Sequence, residues 1–272
     1  MTTRRSDTLF VLIFVLPALF ALGQVVAPGA AVYAPGPRLA VAVRVASVSK
    51  LVLLALAAVY AHLCARGLAS AHDQVASAWR RLSLGFLFYF LGQASLGWYQ
   101  LVKGTSAPFP SVADAFFLAA YPFFFAALLG FLRGYREAGF SVDSATAQGR
   151  VAAYVSAGCL AVAVPLLHPT AVAPTHAYET ALNLAYPVLD LALVVPVVLL
   201  VRVTMGLRGG AVARVWTSML AGFAFMCVGD ILFGYFSALG RVGLDPFVHA
   251  TYILSYGLMA DGARRQYGLL AG

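Results

Sequence analysis

Apolar residues in this chain run almost unbroken in stretches of about 20, each ended by charged residues or a Pro/Gly-rich break. Eight such windows occur, at 8–28, 42–65, 82–102, 112–132, 151–168, 179–201, 215–237 and 246–263. As helices, they have the length needed to cross a hydrocarbon layer about 30 Å thick. The pattern predicts an all-α polytopic membrane protein of eight transmembrane helices, forming a single membrane domain over 1–272. The longest connection, Gly134 to Arg150, is polar and too short to bury a core of its own.

Basic residues orient these windows. With eight spans, Arg4, Arg5, Arg66, Arg80, Arg81, Arg133, Arg136, Arg150, Arg202, Arg208, Arg214, Arg264 and Arg265 fall on one side. Only Arg38, Lys103 and Arg241 fall on the other, and Arg44 and Lys50 lie in or just above the second span. Positive residues collect on the cytoplasmic side, so both termini are expected there. Arg4 and Arg5 before an apolar run, with small residues around Ala27 to Ala31, also fit a secretory signal, whose removal would leave seven spans with the same orientation.

The chain also resembles itself. A shift of 137 residues pairs the third window with the seventh, matching Trp79 with Trp216, Gly85 with Gly222, Phe86 with Phe223, Phe88 with Phe225, Gly92 with Gly229 and Gly97 with Gly234. The windows that follow each carry a polar residue seven positions before a tyrosine: Asp114 and Tyr121, Glu179 and Tyr186, His249 and Tyr256. Seven residues is close to two helical turns, so both members share a face. Paired windows run in the same direction, which predicts a parallel internal repeat of two four-helix halves, about 1–133 and 150–265.

Composition narrows the classes. At 62% hydrophobic, 10% charged and mean hydropathy +0.87, the chain has too little polar surface for a water-soluble domain. The net charge of +8 is spread between apolar runs and not gathered on one face, so nucleic acid is not an expected partner. Cys64, Cys159 and Cys227 lie inside apolar stretches with no spacing for disulfides or zinc. Arginine far outnumbers lysine, 16 to 2, as in GC-rich bacterial genomes, which places the expected location in a bacterial inner membrane. No GxSxG, P-loop, HExxH or dinucleotide fingerprint occurs.

The candidate chemistry lies in ionisable groups that lipid disfavours. Asp190 falls near mid-span and Asp230 in the outer half of the seventh window, while Arg44, Lys50, Asp114, Glu179 and His249 enter from the outer side. One reading makes them structural, with Lys50 or Arg44 paired to Asp190 or Asp230, and Asp114 and Glu179 complementing helix N-termini. The other gathers them at the floor of an outer-facing pocket walled by aromatics. Its ligand-binding set is Lys50, Gln93, Trp98, Asp114, Tyr121, Tyr186, Asp190, Asp230, His249 and Tyr256, with Tyr99, Tyr235 and Tyr252 nearby. His168 and His176 bracket an outer loop without metal-site spacing, so no metal and no cofactor are assigned.

The stretch GQASLGWYQLVKGTSAPFPSVADAFFLAAYPFFFAALLGFLR carries Trp98, then Pro110, Ser111, Ala113 and Asp114, then Tyr121 and Pro122. With AYPVLDL at 185–191 and TYILSYGLMADG at 251–262, it resembles the multi-pass membrane sensory region that precedes diguanylate cyclase and phosphodiesterase domains in bacterial signalling proteins. The resemblance implies a membrane input module for a small or lipidic ligand. No output domain follows Gly272, so it also implies a separate cytoplasmic signalling partner. More distantly, Lys50, Gly92 with Gln93, and Gly229 with Asp230 are similar to positions of the lysoplasmalogenase family, eight-span hydrolases of the lysoplasmalogen vinyl-ether bond. There Asp230, Asp190 and Lys50 would be the catalytic set. Gln93 departs from the family's acid, because an amide cannot carry the proton, and Asp190 would have to replace it. A transporter is the third expectation, from the parallel repeat and the prolines inside spans.

Overall fold

The computed structural model describes residues 2–26, 37–69, 73–105, 107–139, 144–205, 210–241 and 244–271. They form α1 (Thr2–Val26), α2 (Pro37–Leu68), α3 (Asp73–Gly97), α4 (Val112–Glu137), α5 (Ala145–Val172), α6 (Ala177–Met205), α7 (Ala211–Ala238) and α8 (Asp245–Ala271), with no strand among the described residues. α3 continues into a π-helical turn, Trp98–Lys103, which stops at Gly104 in the left-handed region (φ +65°). A helix satisfies its own backbone hydrogen bonds, which an apolar solvent requires. α4 starts on a capping box: the Ser111 hydroxyl accepts from the Ala113 N–H at 3.2 Å, and the Ser111 N–H donates to Asp114 at 2.6 Å.

α1, α2, α4, α5, α6 and α7 are each long and apolar enough to cross a membrane, and the chain is a multi-pass membrane protein. α3 and α8 have comparable length, at 25 and 27 residues, but carry more polar side chains. Among these, Gln93, Ser255 and Asp261 are buried.

Six helices close a ring in the order α2, α3, α4, α6, α7, α8 and back to α2. Exchanging α2, α3 and α4 for α6, α7 and α8 maps each neighbour relation of the ring onto another. The outer helices break this symmetry, since α1 lies against α2 and α8 whereas α5 lies against α6 and α7. Residues matched by the 137-residue shift meet at the centre. Trp79 and Trp216 stack with centroids 6.3 Å apart, and Phe131 of α4 sets its edge on both, at 5.1 and 4.8 Å. One level away, Phe124 does the same to Phe86 and Phe223, at 5.4 and 5.7 Å.

The matched glycines explain how closely the ring helices approach. A Cβ at Gly85 would lie 2.4 Å from the Phe124 ring, and one at Gly222 would lie 2.7 Å from Met259 and 3.0 Å from the Ser255 carbonyl oxygen. Gly92 and Gly229 repeat the arrangement nearer the cavity, against Phe117 and against Tyr252 with Thr251. Outside the ring, Phe14 of α1 fills the notch left by Gly257 of α8. Below it, the Arg264 guanidinium donates to Asp7 at 2.6 Å and to Asp261 at 3.0 Å, and stands 4.7 Å from the Phe10 centroid.

Candidate functional site

The aromatic core fills the half of the ring nearer the termini. Towards the opposite end the ring opens into a cavity of about 790 Å³, whose lining includes residues from α2, α3, α4, α6, α7 and α8 and the 104–111 connection. Of the residues singled out from the sequence, Lys50, Gln93, Asp114, Tyr186, Asp230, His249 and Tyr256 line it, as do Arg44 and Tyr252. Arg44 is exposed, whereas Lys50 is 3% exposed.

Three members of the expected ligand-binding set do not line the cavity. Trp98, the first residue of the π-helical turn, is 55% exposed, because it lies two positions from the lining residues Leu96 and Gln100 and so points from the opposite face. Tyr121 lies seven residues after Asp114 on α4, about 10 Å deeper at the helical rise. Asp190 lies one turn beyond Tyr186 on α6. Both are fully enclosed beneath the cavity floor, where Tyr121 donates to Asp190 at 2.7 Å and accepts from Tyr89 at 3.1 Å.

The charges do not pair in the way the structural reading expects. No carboxylate among the described residues forms an ion pair with Lys50 or Arg44. Lys50 instead places its ammonium 3.4 Å from His249 Nδ1 and 5.8 Å from the centroid of Tyr252. The ammonium donates to this nitrogen in the tautomer that leaves the lone pair on Nδ1. On the other side, Asp230 accepts the Tyr252 hydroxyl and has the Asp190 carboxyl as its neighbour. Asp190 Oδ2 has no hydrogen-bond donor among the described residues.

Asp114 combines two roles. One oxygen closes the α4 capping box and the other accepts the Tyr186 hydroxyl at 2.8 Å, so it caps its helix and fixes a cavity wall together. The expectation of helix-terminus complementation therefore holds for Asp114 without removing it from the cavity. Glu179 lies in the first turn of α6, lining a separate crevice of about 170 Å³.

Sequence reasoning passed over three participants. Tyr89 lines the floor and sits one turn before Gln93 on the same face of α3, a spacing visible in the sequence. Gln100 lines the cavity while accepting the Ser47 hydroxyl. Asp261, 2% exposed, is the buried acid of the opposite end, held by Ser218, Arg264 and Arg265.

Compared with protein-family models, curated proteins and solved structures, the chain matches none.

Proposed function

We propose that the protein is a membrane-embedded binding and sensory module, taking a small or lipidic ligand with an anionic group into the cavity and signalling through a cytoplasmic partner. On this reading it spans the bilayer eight times in two four-helix halves, with both termini cytoplasmic and the cavity facing outward. The ring's exchange symmetry supports the halves, and the gathering of arginines at the terminal end supports the orientation. The observation that carries the ligand is Lys50, a cation buried in a cavity open to a guest and opposed by no carboxylate within salt-bridge reach among the described residues. An anionic guest supplies the missing partner. The test is titration of the purified protein with hexyl phosphate. Wild type binds it and gains hydrogen-exchange protection in the cavity-side halves of α4, α6 and α8, and Lys50→Met weakens binding tenfold or more. Indifference of both measurements to the ligand refutes the reading.

A second reading, an intramembrane hydrolase of ether lysolipids, is favoured by the neighbouring carboxyls of Asp190 and Asp230. A pair of carboxyls can divide the acid and base roles, which an amide at Gln93 cannot. Release of aldehyde from a lysoplasmalogen by the purified protein, abolished by Asp230→Asn, establishes it.

A further inference from the structure

The cavity is lined by a basic and an acidic side chain, Lys50 and Asp230, that do not pair with each other. Lys50 has His249 as its hydrogen-bonding neighbour and no carboxylate in ion-pair contact among the described residues. Asp230 lines the same space with Asp190 behind it, and no lysine, arginine or histidine among the described residues forms an ion pair with either. A cation placed beside a carboxyl favours its ionised form. Tyr252 separates the two groups, since its ring faces the Lys50 ammonium at 5.8 Å while its hydroxyl is donated to Asp230.

The surroundings of Asp230 suit one kind of cation. Tyr89, Tyr186, Tyr252 and Tyr256 line the cavity with it; Tyr252 and Tyr256 stack at 6.1 Å, and Tyr89 sets its edge to Tyr256 at 6.2 Å. Aromatic faces around a carboxylate attract an organic ammonium, whose weak hydration makes it the easiest cation to bring into such a space. A further unmet demand points to the guest's other pole. Gln93 is 2% exposed and lines the cavity, and its amide nitrogen has no acceptor among the described residues. A buried amide donor of this kind is satisfied by an anionic oxygen.

We infer that the cavity takes a zwitterionic amphiphile, its anionic group held by Lys50 and Gln93 and its organic ammonium held by Asp230 among the tyrosines. The inference deepens the proposed binding function and rests on it. The apolar remainder of the lining, Leu96, Phe117, Phe233 and Val248, accommodates the guest's hydrocarbon portion.

The experiment compares hexylphosphocholine with hexyl phosphate, which share a chain and a phosphate and differ in the ammonium, by calorimetry on the protein in maltoside micelles. Wild type is expected to bind the phosphocholine on the order of tenfold more tightly. Asp230→Asn is expected to bring the two within about twofold while still binding hexyl phosphate. Tetramethylammonium competes with the phosphocholine and not with hexyl phosphate, a measurement on wild type that does not depend on the variant folding. Equal binding of both compounds by wild type, or a preference that survives Asp230→Asn, overturns the ammonium site and leaves the anion-binding function standing. If neither compound binds wild type, the binding function falls, and the inference with it.

Discussion

Replacing Gly85 or Gly222 by alanine adds one methyl group at two tight contacts of the ring. At Gly85 the new carbon meets two atoms of Phe124 at 2.4 and 2.5 Å, and Phe124 is fully buried between Phe86, Tyr89 and Phe223. At Gly222 it meets the Met259 side chain at 2.7 Å and the Ser255 and Met259 backbone at 3.0 and 3.2 Å, so α7 and α8 must separate. Overpacking of this kind costs about 1–3 kcal/mol. For a chain of this size that lowers the unfolding midpoint by about 2–12 °C. Gly158 of α5 is the control, because nothing lies within 4 Å of its added carbon and alanine favours the helix over glycine. Gly158→Ala should leave the midpoint unchanged or raise it. Intrinsic fluorescence during heating is the assay, since buried Trp79 and Trp216 report the ring centre directly. Midpoints for Gly85→Ala and Gly222→Ala that match Gly158→Ala would refute the close approach of α3 to α4 and of α7 to α8.

Three further outcomes are expected. Tyr121→Phe removes the hydroxyl that Asp190 accepts and costs about 1.5–3 kcal/mol, read as a lower midpoint; no change would separate Asp190 from that network. Arg264→Leu leaves Asp7 with only its 3.9 Å contact to Arg265, and Asp261 with Arg265 and Ser218, so α1 should loosen and become the first segment released by limited proteolysis; unaltered cleavage kinetics would contradict this. In a background lacking the native cysteines, a cysteine at Thr175 should react with an impermeant maleimide applied to intact cells, whereas one at Glu137 should react after permeabilisation; the reverse pattern would invert the proposed orientation.

The helices were legible because lipid imposes one rule on every segment, an apolar run with satisfied backbone, and each of the eight windows lies largely within one observed helix. Their ends were less so: α2 runs from Pro37 to Leu68, beyond the 42–65 window, because helical hydrogen bonding continues where hydropathy stops. The site was legible in azimuth and not in depth. A seven-residue spacing places Asp114 and Tyr121 on one face, but it also separates them by about 10 Å along the axis, so one lines the cavity and the other lies under its floor. The approach of Asp190 on α6 to Asp230 on α7 has no signature in either segment alone. The lodging of α1 against α8 was equally hidden, since it depends on the shape of Phe14 and the missing side chain of Gly257 and not on hydropathy.

The seating of Phe14 on Gly257 limits what α8 can do. The same helix carries His249, Tyr252 and Tyr256 at the cavity and Asp261 and Arg264 near its other end. A rotation of α8 by one residue, about 100° about its axis, would swing the glycine aside and drive a larger neighbour into the phenylalanine. It would also pull the guanidinium from its aspartate clasp. Spinning is therefore opposed in this rod, and any tilt of α8 has to carry α1 with it.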